Sequence, residues 1–370
     1  MQIIPVSTKK ESREFALFPY HFYRGDPVWV APLRSEALAQ FSPSKNPTLD
    51  HCEFQLFLLK DGSRTIGRIA AFFDRLAIEH WNEMAGMFGY YECPDDSAAS
   101  RLLLDAARNW LDEKGMAAMR GPWSFVSQEW GSVMEGFEPA PVIMSPYNPP
   151  YYNRQYRDYG LSKIKDLLVY YIDAREKYQI PERILILTDK ISERYGICTR
   201  QIDMSRFEEE VDTFMALSNE SLVDNWGFAP ITEAETKAMA ADLKAVLHPK
   251  AVIFAEDSDG RPVGFAVALP DINKLIKGLN GHLFPTGIFR LLFGLPKLAQ
   301  YRMFALGVIP EYHGRGVDSL LYRALYVSCF QPDLRMEINY VLEDNGPMNN
   351  AILKLGAKPL RRYRVYQMDI

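Results

Sequence analysis

Four cysteines in 370 residues, Cys52, Cys93, Cys198 and Cys329, share no C-x-x-C spacing. That scarcity leaves neither a disulfide framework nor a thiolate zinc site to be read from the sequence. Six histidines are equally dispersed, so no metal site is expected. Apolar runs are short, none reaching the roughly 18 residues of a membrane span, and the first ten residues lack the apolar stretch of an export signal. The expectation is therefore a cytoplasmic protein, neither exported nor membrane-spanning. An excess of positive charge is also missing, since 42 Lys and Arg face 47 Asp and Glu for a net charge of −5. This excludes a surface built as a whole for nucleic acid. With 48% apolar and 24% charged residues the composition is that of a folded globular chain. Its length exceeds what one core organises, so two domains are expected.

An internal repeat supplies the division. Asp61-Gly-Ser-Arg-Thr-Ile-Gly-Arg-Ile-Ala-Ala resembles Asp259-Gly-Arg-Pro-Val-Gly-Phe-Ala-Val-Ala, and each follows a β-rich run, residues 54–59 and 251–255. Both read as hairpins turning at Asp-Gly. Each half then carries a strand running into an amphipathic helix, 86–91 into 98–114 and 303–309 into 316–330. Apolar residues spaced at three and four mark the helices, as in Leu102, Leu103 and Ala106 or Leu320, Leu321 and Leu325. Asn148-Pro-Pro and Asn345-Gly-Pro open short helices before closing strands at 167–172 and 362–368. Two α/β halves with mixed sheets follow, 1–174 and 197–370, joined by a linker helix within 175–196.

The chemistry-bearing segment is Phe304-Ala-Leu-Gly-Val-Ile-Pro-Glu-Tyr-His-Gly-Arg-Gly-Val-Asp-Ser-Leu-Leu. A strand ends near Pro310, a loop with Gly314 and Gly316 follows, and a helix begins near Gly316. Amides at a helix N-terminus attract phosphate through unpaired donors and the positive end of the dipole, and glycine lets the backbone approach closely. The pattern Val-x-Pro-Glu-Tyr-x-Gly-x-Gly-x-x-x-Leu-Leu resembles the acyl-CoA motif of the GNAT superfamily. The order of the following elements is similar too, so the chain resembles two tandem GNAT-like acyl-CoA N-acyltransferase domains, the first degenerate. The resemblance implies that Leu306, Gly307 and Val308 hold the acyl carbonyl and pantetheine. It also implies that His313, Gly314, Arg315, Gly316 and Val317 hold the pyrophosphate.

Three departures qualify this. His313 stands where the family usually has Gln or Arg, and Asp318 replaces a small residue. Unit charges about 4 Å apart cost on the order of 4 kcal/mol at an effective dielectric of 20, so Asp318 must face away from a pyrophosphate or be offset by Arg315. The tyrosine that usually protonates the leaving thiolate falls near Ile352 and is absent. A thiolate leaves without much protonation, but the acceptor amine must be deprotonated. Glu337, Glu343 and Asp344 are the base candidates, and strand alternation would put the first two on one face.

In the first half the equivalent loop, Tyr91-Glu-Cys-Pro-Asp-Asp-Ser, is acidic and lacks glycine. That half is expected to be structural or acceptor-binding. Trp123, Gln128, Trp130 and Tyr147 lie in a long aromatic stretch and are candidate pocket residues, as are Asp224, Asn225 and Trp226 after the first helix of the second half. Residues 272–302 contain no Asp or Glu but have Lys274, Lys277, Arg290, Lys297 and Arg302 among many Leu, Ile and Phe. Such mixtures cover apolar ligands or lie on anionic membranes. The tandem plan resembles a bacterial GNAT family related to ceramide-synthase-type long-chain N-acyltransferases. This implies transfer of a long acyl chain from acyl-CoA, or from the phosphopantetheine of an acyl carrier protein, to a small amine or amino-lipid, with peripheral contact at the inner membrane face. The competing readings are acetylation of a small polar amine and a catalytically silent acyl-CoA-binding or scaffold protein.

Overall fold

The computed structural model describes residues 1–125 and 129–370, so Gln128 lies outside the described residues. The chain begins β1 (Gln2–Pro5), α1 (Lys9–Leu17), α2 (Pro19–Phe22), α3 (Arg34–Ala39), β2 (Cys52–Asp61), β3 (Arg64–Asp74), α4 (Arg75–Trp81), β4 (Ala85–Glu92) and α5 (Ser97–Glu113). It continues through β5 (Ala118–Gly121), β6 (Ser132–Glu135), α6 (Tyr152–Tyr159), β7 (Ser162–Asp173), α7 (Glu182–Tyr195), β8 (Cys198–Gln201), α8 (Phe207–Ser221), α9 (Glu233–Lys244), β9 (Val252–Glu256) and β10 (Pro262–Pro270). Then come α10 (Asn273–Ile276), α11 (Gly287–Gly294), β11 (Gln300–Val308), α12 (Val317–Cys329), β12 (Arg335–Leu342), α13 (Gly346–Lys354) and β13 (Lys358–Asp369).

Two units result, each discontinuous in sequence. Unit 1 takes residues 1–167, 273–292 and 361–370, and unit 2 takes 168–272 and 293–360. This differs from the division read in the sequence: much of the apolar insertion and most of β13 join unit 1, and α7 is part of unit 2 rather than a linker. Sequence proximity did not decide where these segments bury their apolar surface.

The strands of unit 1 run in the order β1, β2, β3, β4, β5, β13, β7. The β2–β3 hairpin is in register from Cys52 opposite Asp74 to Leu59 opposite Gly67, with a bulge before Lys60 opposite Thr65, so alternate residues of the regular stretch separate onto two faces. Phe57, Leu59, Ile69, Ala71 and Phe73 join α5 residues Leu103, Leu104 and Leu111 in one core. Leu56, Leu58, Ala70 and Phe72 pack on the other face with Phe15, Phe41 and Phe125. Burial on both faces explains the continuous apolar run of β3, where an exposed hairpin would alternate. Arg68 falls on the second face, against Phe15. Thr8 and Glu11 form a capping box on α1, and Asp96 caps α5 by accepting from the Ala98 and Ala99 N–H groups. Such caps each stabilise a helix by about 1 kcal/mol.

In unit 2 the order is β7, β12, β11, β10, β9, β8. Helix α12 packs on β9, β10 and α7, while α8 packs on β10 and β11. Arg200 ties β8 to this arrangement, pairing with Glu210 at 2.7 Å and Glu256 at 2.6 Å. Among the described residues no helix is long and apolar enough to cross a membrane.

Candidate active site

In unit 2, β11 and β12 pair in parallel from Gln300 opposite Arg335 to Met303 opposite Ile338. Beyond that point Ala305 to Val308 keep their antiparallel pairing to β10, while the ladder toward β12 stops. The strand thus presents open backbone on one edge, where an extended amide chain such as pantetheine can pair. Leu306, Gly307 and Val308, expected at the acyl end, all lie on this stretch.

A single helical turn, Pro310–Tyr312, links the strand to the glycine loop. Gly314 and Gly316 have φ of +73° and +79°, and Gly316 is the N-cap of α12. A Cβ at Gly314 would meet open space, whereas one at Gly316 would lie 2.5 Å from Ile191 Cδ1 of α7. Gly316 is therefore fixed by packing as well as by its left-handed backbone. Val317, the first helical residue, buries its side chain in the core, leaving its backbone as the part available to a ligand. His313 does not stand free for an anion: its Nε2 lies 2.8 Å from the Val308 carbonyl oxygen, a bond that closes the loop onto the strand. Arg315 stacks over the Tyr312 ring at 4.4 Å, and Tyr312 donates to Asp257 at 2.8 Å.

Burial pushes the Asp318 carboxyl up, opposed by the Ser319 and Asp318 N–H groups and by His313. An acid in the first helical turn is favoured by the dipole, while burial disfavours its charged form. Ser221, at the end of α8, was not anticipated from the sequence. A Cβ built on Gly307 would meet the Ser221 Oγ at 2.1 Å, so this hydroxyl lies directly on the acyl strand. Its oxygen is shielded from solvent and has no hydrogen-bond partner among the described residues. Asp224, Asn225 and Trp226 follow immediately in a turn, the first two exposed and Trp226 half-buried.

The base candidates of unit 2 separate. Glu337 is almost completely buried, 3.5 Å from Arg335 and in register with the fully buried Arg302. It is an interior ion-pair carboxylate. β12 ends at Leu342, so Glu343 and Asp344 sit in a turn, and strand alternation does not place Glu343 on a face with Glu337. Glu343 is half-buried and Asp344 exposed. Arg302, counted in the basic insertion, faces the interior and contributes nothing to the surface.

Unit 1 contains the corresponding divergence with different contents. β4 and β5 pair from Ala85 opposite Ala118 to Met87 opposite Arg120, after which the Trp123 N–H donates to the Phe88 carbonyl at 2.9 Å. Gly89 lies beneath Trp123, where any Cβ would come within 1.6 Å of the Trp123 oxygen. Tyr90 has φ of +49°, and Met144 has φ of +55°. Both line a cavity of 240 Å³. Strained non-glycine backbone of this kind collects at ligand sites, at a cost of order 1–3 kcal/mol each.

The cavity walls include Tyr20, Tyr23, Trp29, Tyr90, Trp123 and Tyr147. Trp123 stacks on Trp130 with centroids 4.3 Å apart. Tyr147 donates to Asp26 and meets Tyr23 edge-on. Burial raises the Tyr23 and Tyr90 phenols far above the usual range, so they are neutral donors at ordinary pH. The charged element is a buried pair, Arg68 Nε with Glu92 Oε2. Arg68 also donates to the Phe15 carbonyl at 2.6 Å and lies 4.7 Å over the Phe15 ring. A void of 340 Å³ shares Tyr147 and Asn148 with the cavity and extends along Val28, Phe137 and Pro150. The acidic loop that replaces the glycine loop is used internally, Asp96 as a helix cap and Asp95 in a pair with Arg154.

Trp123 and Tyr147, named from the sequence, thus come together on one cavity, while Arg68 and Glu92 were missed. The available signal was a lone arginine within the apolar run Ile-Gly-Arg-Ile-Ala-Ala of β3. One group of possible metal ligands, His51, Cys52 and Asp74, also comes together among the described residues. Its Asp74 oxygen caps α4 and accepts from His51 Nδ1 at 2.8 Å, which accounts for the cluster structurally.

A mixed sheet with two strand divergences and a glycine loop before a helix defines the class: a tandem GNAT acyltransferase. A tandem GNAT protein from the clavulanic acid biosynthesis pathway shares this fold, with a TM-score of 0.57 at 13% identity over 100% of this chain and 98% of that one. No family model matches the sequence. Two relatives align over nearly the whole chain. Bacterial ceramide synthase of Caulobacter vibrioides is 34% identical, covering 99% of this chain and 97% of its own length. Protein YghO of Escherichia coli is 33% identical, covering 98% and 94%. The chain belongs to the family of these two proteins.

Proposed function

We propose that the protein transfers a long acyl chain from an acyl thioester to the amine of an amino-lipid, with the two halves dividing the labour. The observation that carries this reading is a full-length relative named for making a ceramide, an amide of a fatty acid with a long-chain amine. Donor binding is assigned to unit 2. The open edge at Leu306–Val308 takes the pantetheine, and the amides of Gly314–Val317 take the pyrophosphate of CoA. The Ser221 hydroxyl donates to the thioester carbonyl, stabilising the oxyanion as the carbon becomes tetrahedral.

Acceptor binding is assigned to unit 1. An aromatic, partly strained cavity with one buried ion pair has the composition of a site that takes an apolar body with one polar end. Glu92 is the carboxylate on its wall that can take a proton from the attacking ammonium, and Arg68 holds it in place. The neutral amine then attacks the thioester carbonyl and the C–N bond forms; as the C–S bond breaks, the leaving thiolate takes up the second nitrogen proton and departs as the thiol.

The test is an acyl-transfer assay with purified protein, scoring amide by mass spectrometry with donors from acetyl-CoA to long-chain acyl-CoA and acyl carrier protein. Long-chain sphingoid amines and small polar amines serve as acceptors. Amide formation with long acyl donors and a long-chain amine is expected. Turnover confined to acetyl-CoA and a polar amine would replace this reading with a small-molecule acetyltransferase, and no turnover with any pair would favour a silent binding protein.

A further inference from the structure

Residues 273–292 belong to unit 1, and they are anchored on the cavity wall. Asn273 lines the cavity and donates from Nδ2 to the Pro141 carbonyl at 2.9 Å. Lys277 Nζ donates to the Pro27 carbonyl at 2.8 Å. Gly281, with φ of +76°, fits so closely that a Cβ would lie 2.6 Å from Tyr20 Cε1 and 2.7 Å from the Pro32 oxygen. The Arg34 N–H donates to the Gly281 carbonyl at 3.0 Å, and its side chain lies over the Tyr20 ring. Tyr20 is itself a cavity residue.

Beyond this anchored stretch the segment turns its apolar side chains outward. Phe284 is 73% exposed, and on α11 Phe289, Leu292 and Phe293 are 57%, 62% and 69% exposed. Four large apolar side chains in ten residues form a patch that an isolated soluble surface rarely carries. Lys274, Lys277, His282, Arg290 and Lys297 are exposed along the same segment, which contains no acid from 272 to 302. Aromatic side chains beside basic ones, with low charge of the opposite sign, match the interface of an anionic bilayer: rings enter the headgroup boundary while ammonium and guanidinium groups meet phosphate. An acidic carrier protein would satisfy the basic residues but would leave four protruding apolar side chains without equal need.

We infer that residues 274–293 dock the protein on an anionic membrane surface and hold the mouth of the unit 1 cavity against it, so that an amphipathic amine passes from the bilayer into the site. The inference rests on the amino-lipid reading above for the identity of the cargo, while the docking itself does not.

The experiment is vesicle co-sedimentation of the full chain, with phosphatidylcholine alone and with phosphatidylcholine containing phosphatidylglycerol, in low and high salt. The wild type is expected on the anionic vesicles and to be released by salt. Phe284→Ser combined with Phe289→Ser and Leu292→Ser, all exposed positions, should lower the partition at least about tenfold with an unchanged melting temperature. The same variant should keep its rate on amine presented in micelles and lose it on amine embedded in anionic vesicles. A variant that sediments like the wild type, or a wild type that binds acyl carrier protein but no vesicles, overturns the docking. Vesicle binding without amide formation from any donor and amine would instead leave the docking standing and remove the amino-lipid reading.

Discussion

Two strand divergences occur in this chain, one per unit, and they differ in what surrounds them. In unit 2 the divergence of β11 from β12 is followed by the glycine loop and an open strand edge, with Arg302 and Glu337 buried opposite each other in the paired stretch just before it. In unit 1 the divergence of β4 from β5 has lost the loop to an acidic helix cap, and in its place stands an aromatic cavity of 240 Å³ around Arg68 and Glu92. On the proposed reading the difference is a division of labour, because a backbone cradle for an anion and a roomy apolar pocket make conflicting demands on the same few residues.

The sharpest way to break this comparison is at Glu92. Glu92→Gln is expected to lower kcat about a hundredfold, the scale of a lost general base, in single-turnover assays with long-chain acyl-CoA. Removing one partner of a buried pair also destabilises, so the double variant Arg68→Met with Glu92→Met serves as control. It should recover the melting temperature and remain inactive. If Glu343→Gln has the large effect and Glu92→Gln does not, the base belongs to unit 2.

The division of labour predicts a crossed pattern of Michaelis constants. Trp123→Ala should raise KM for the amine about tenfold and leave KM for acyl-CoA unchanged, since an aromatic wall is lost from unit 1 alone. Gly316→Val should do the opposite, because its side chain would displace Ile191 and shift the loop. Gly314→Ala, at an open position, tests the same loop with about 1 kcal/mol of backbone strain and little else. Any variant that moves both constants together contradicts the separation. Smaller again is Ser221→Ala, expected to lower kcat about fivefold, the worth of a single hydrogen bond near 1 kcal/mol.

Asp318 gives the smallest effect and a pH signature. Its folded carboxyl binds protons more tightly than the ordinary 3.8. Between 3.8 and the raised value the native state therefore holds more protons than the unfolded chain, and stability falls as pH rises through that window. Asp318→Asn should remove this slope in chemical denaturation curves. CoA affinity, followed by calorimetry, should weaken in the wild type over the same window and stay flat in the variant.

Much of this architecture was legible in the chain. The paired hairpins, the strand into amphipathic helix and the glycine loop all rest on local periodicity and turn chemistry, which act over a few residues and survive in any context. Leu306 to Val317 were placed correctly on strand, loop and helix for that reason. What escaped was non-local. Nothing near Asn273 or Arg361 in the sequence signals that these segments finish the first unit, because that depends on which apolar surface is left uncovered there. Arg68 and Glu92 lie 24 positions apart on neighbouring strands and become a pair only through the β3–β4 register. His313 was legible as a loop residue, but its bond to the Val308 carbonyl needs the loop's curvature.

Strand β13 has a consequence for biosynthesis. Unit 1 places residues 361–370 between β5 and β7, with Arg364 paired to Asp166 at 2.7 Å. The sheet around its cavity therefore stays open between β5 and β7 until β13, which follows all the strands of unit 2 in the chain, has been made. Most multidomain chains complete their domains in order of synthesis. Here unit 1 must wait for a strand translated after unit 2, so its exposed strand edges are at risk of misassembly during elongation, and loss of β13 would leave the sheet beside Glu92 incomplete.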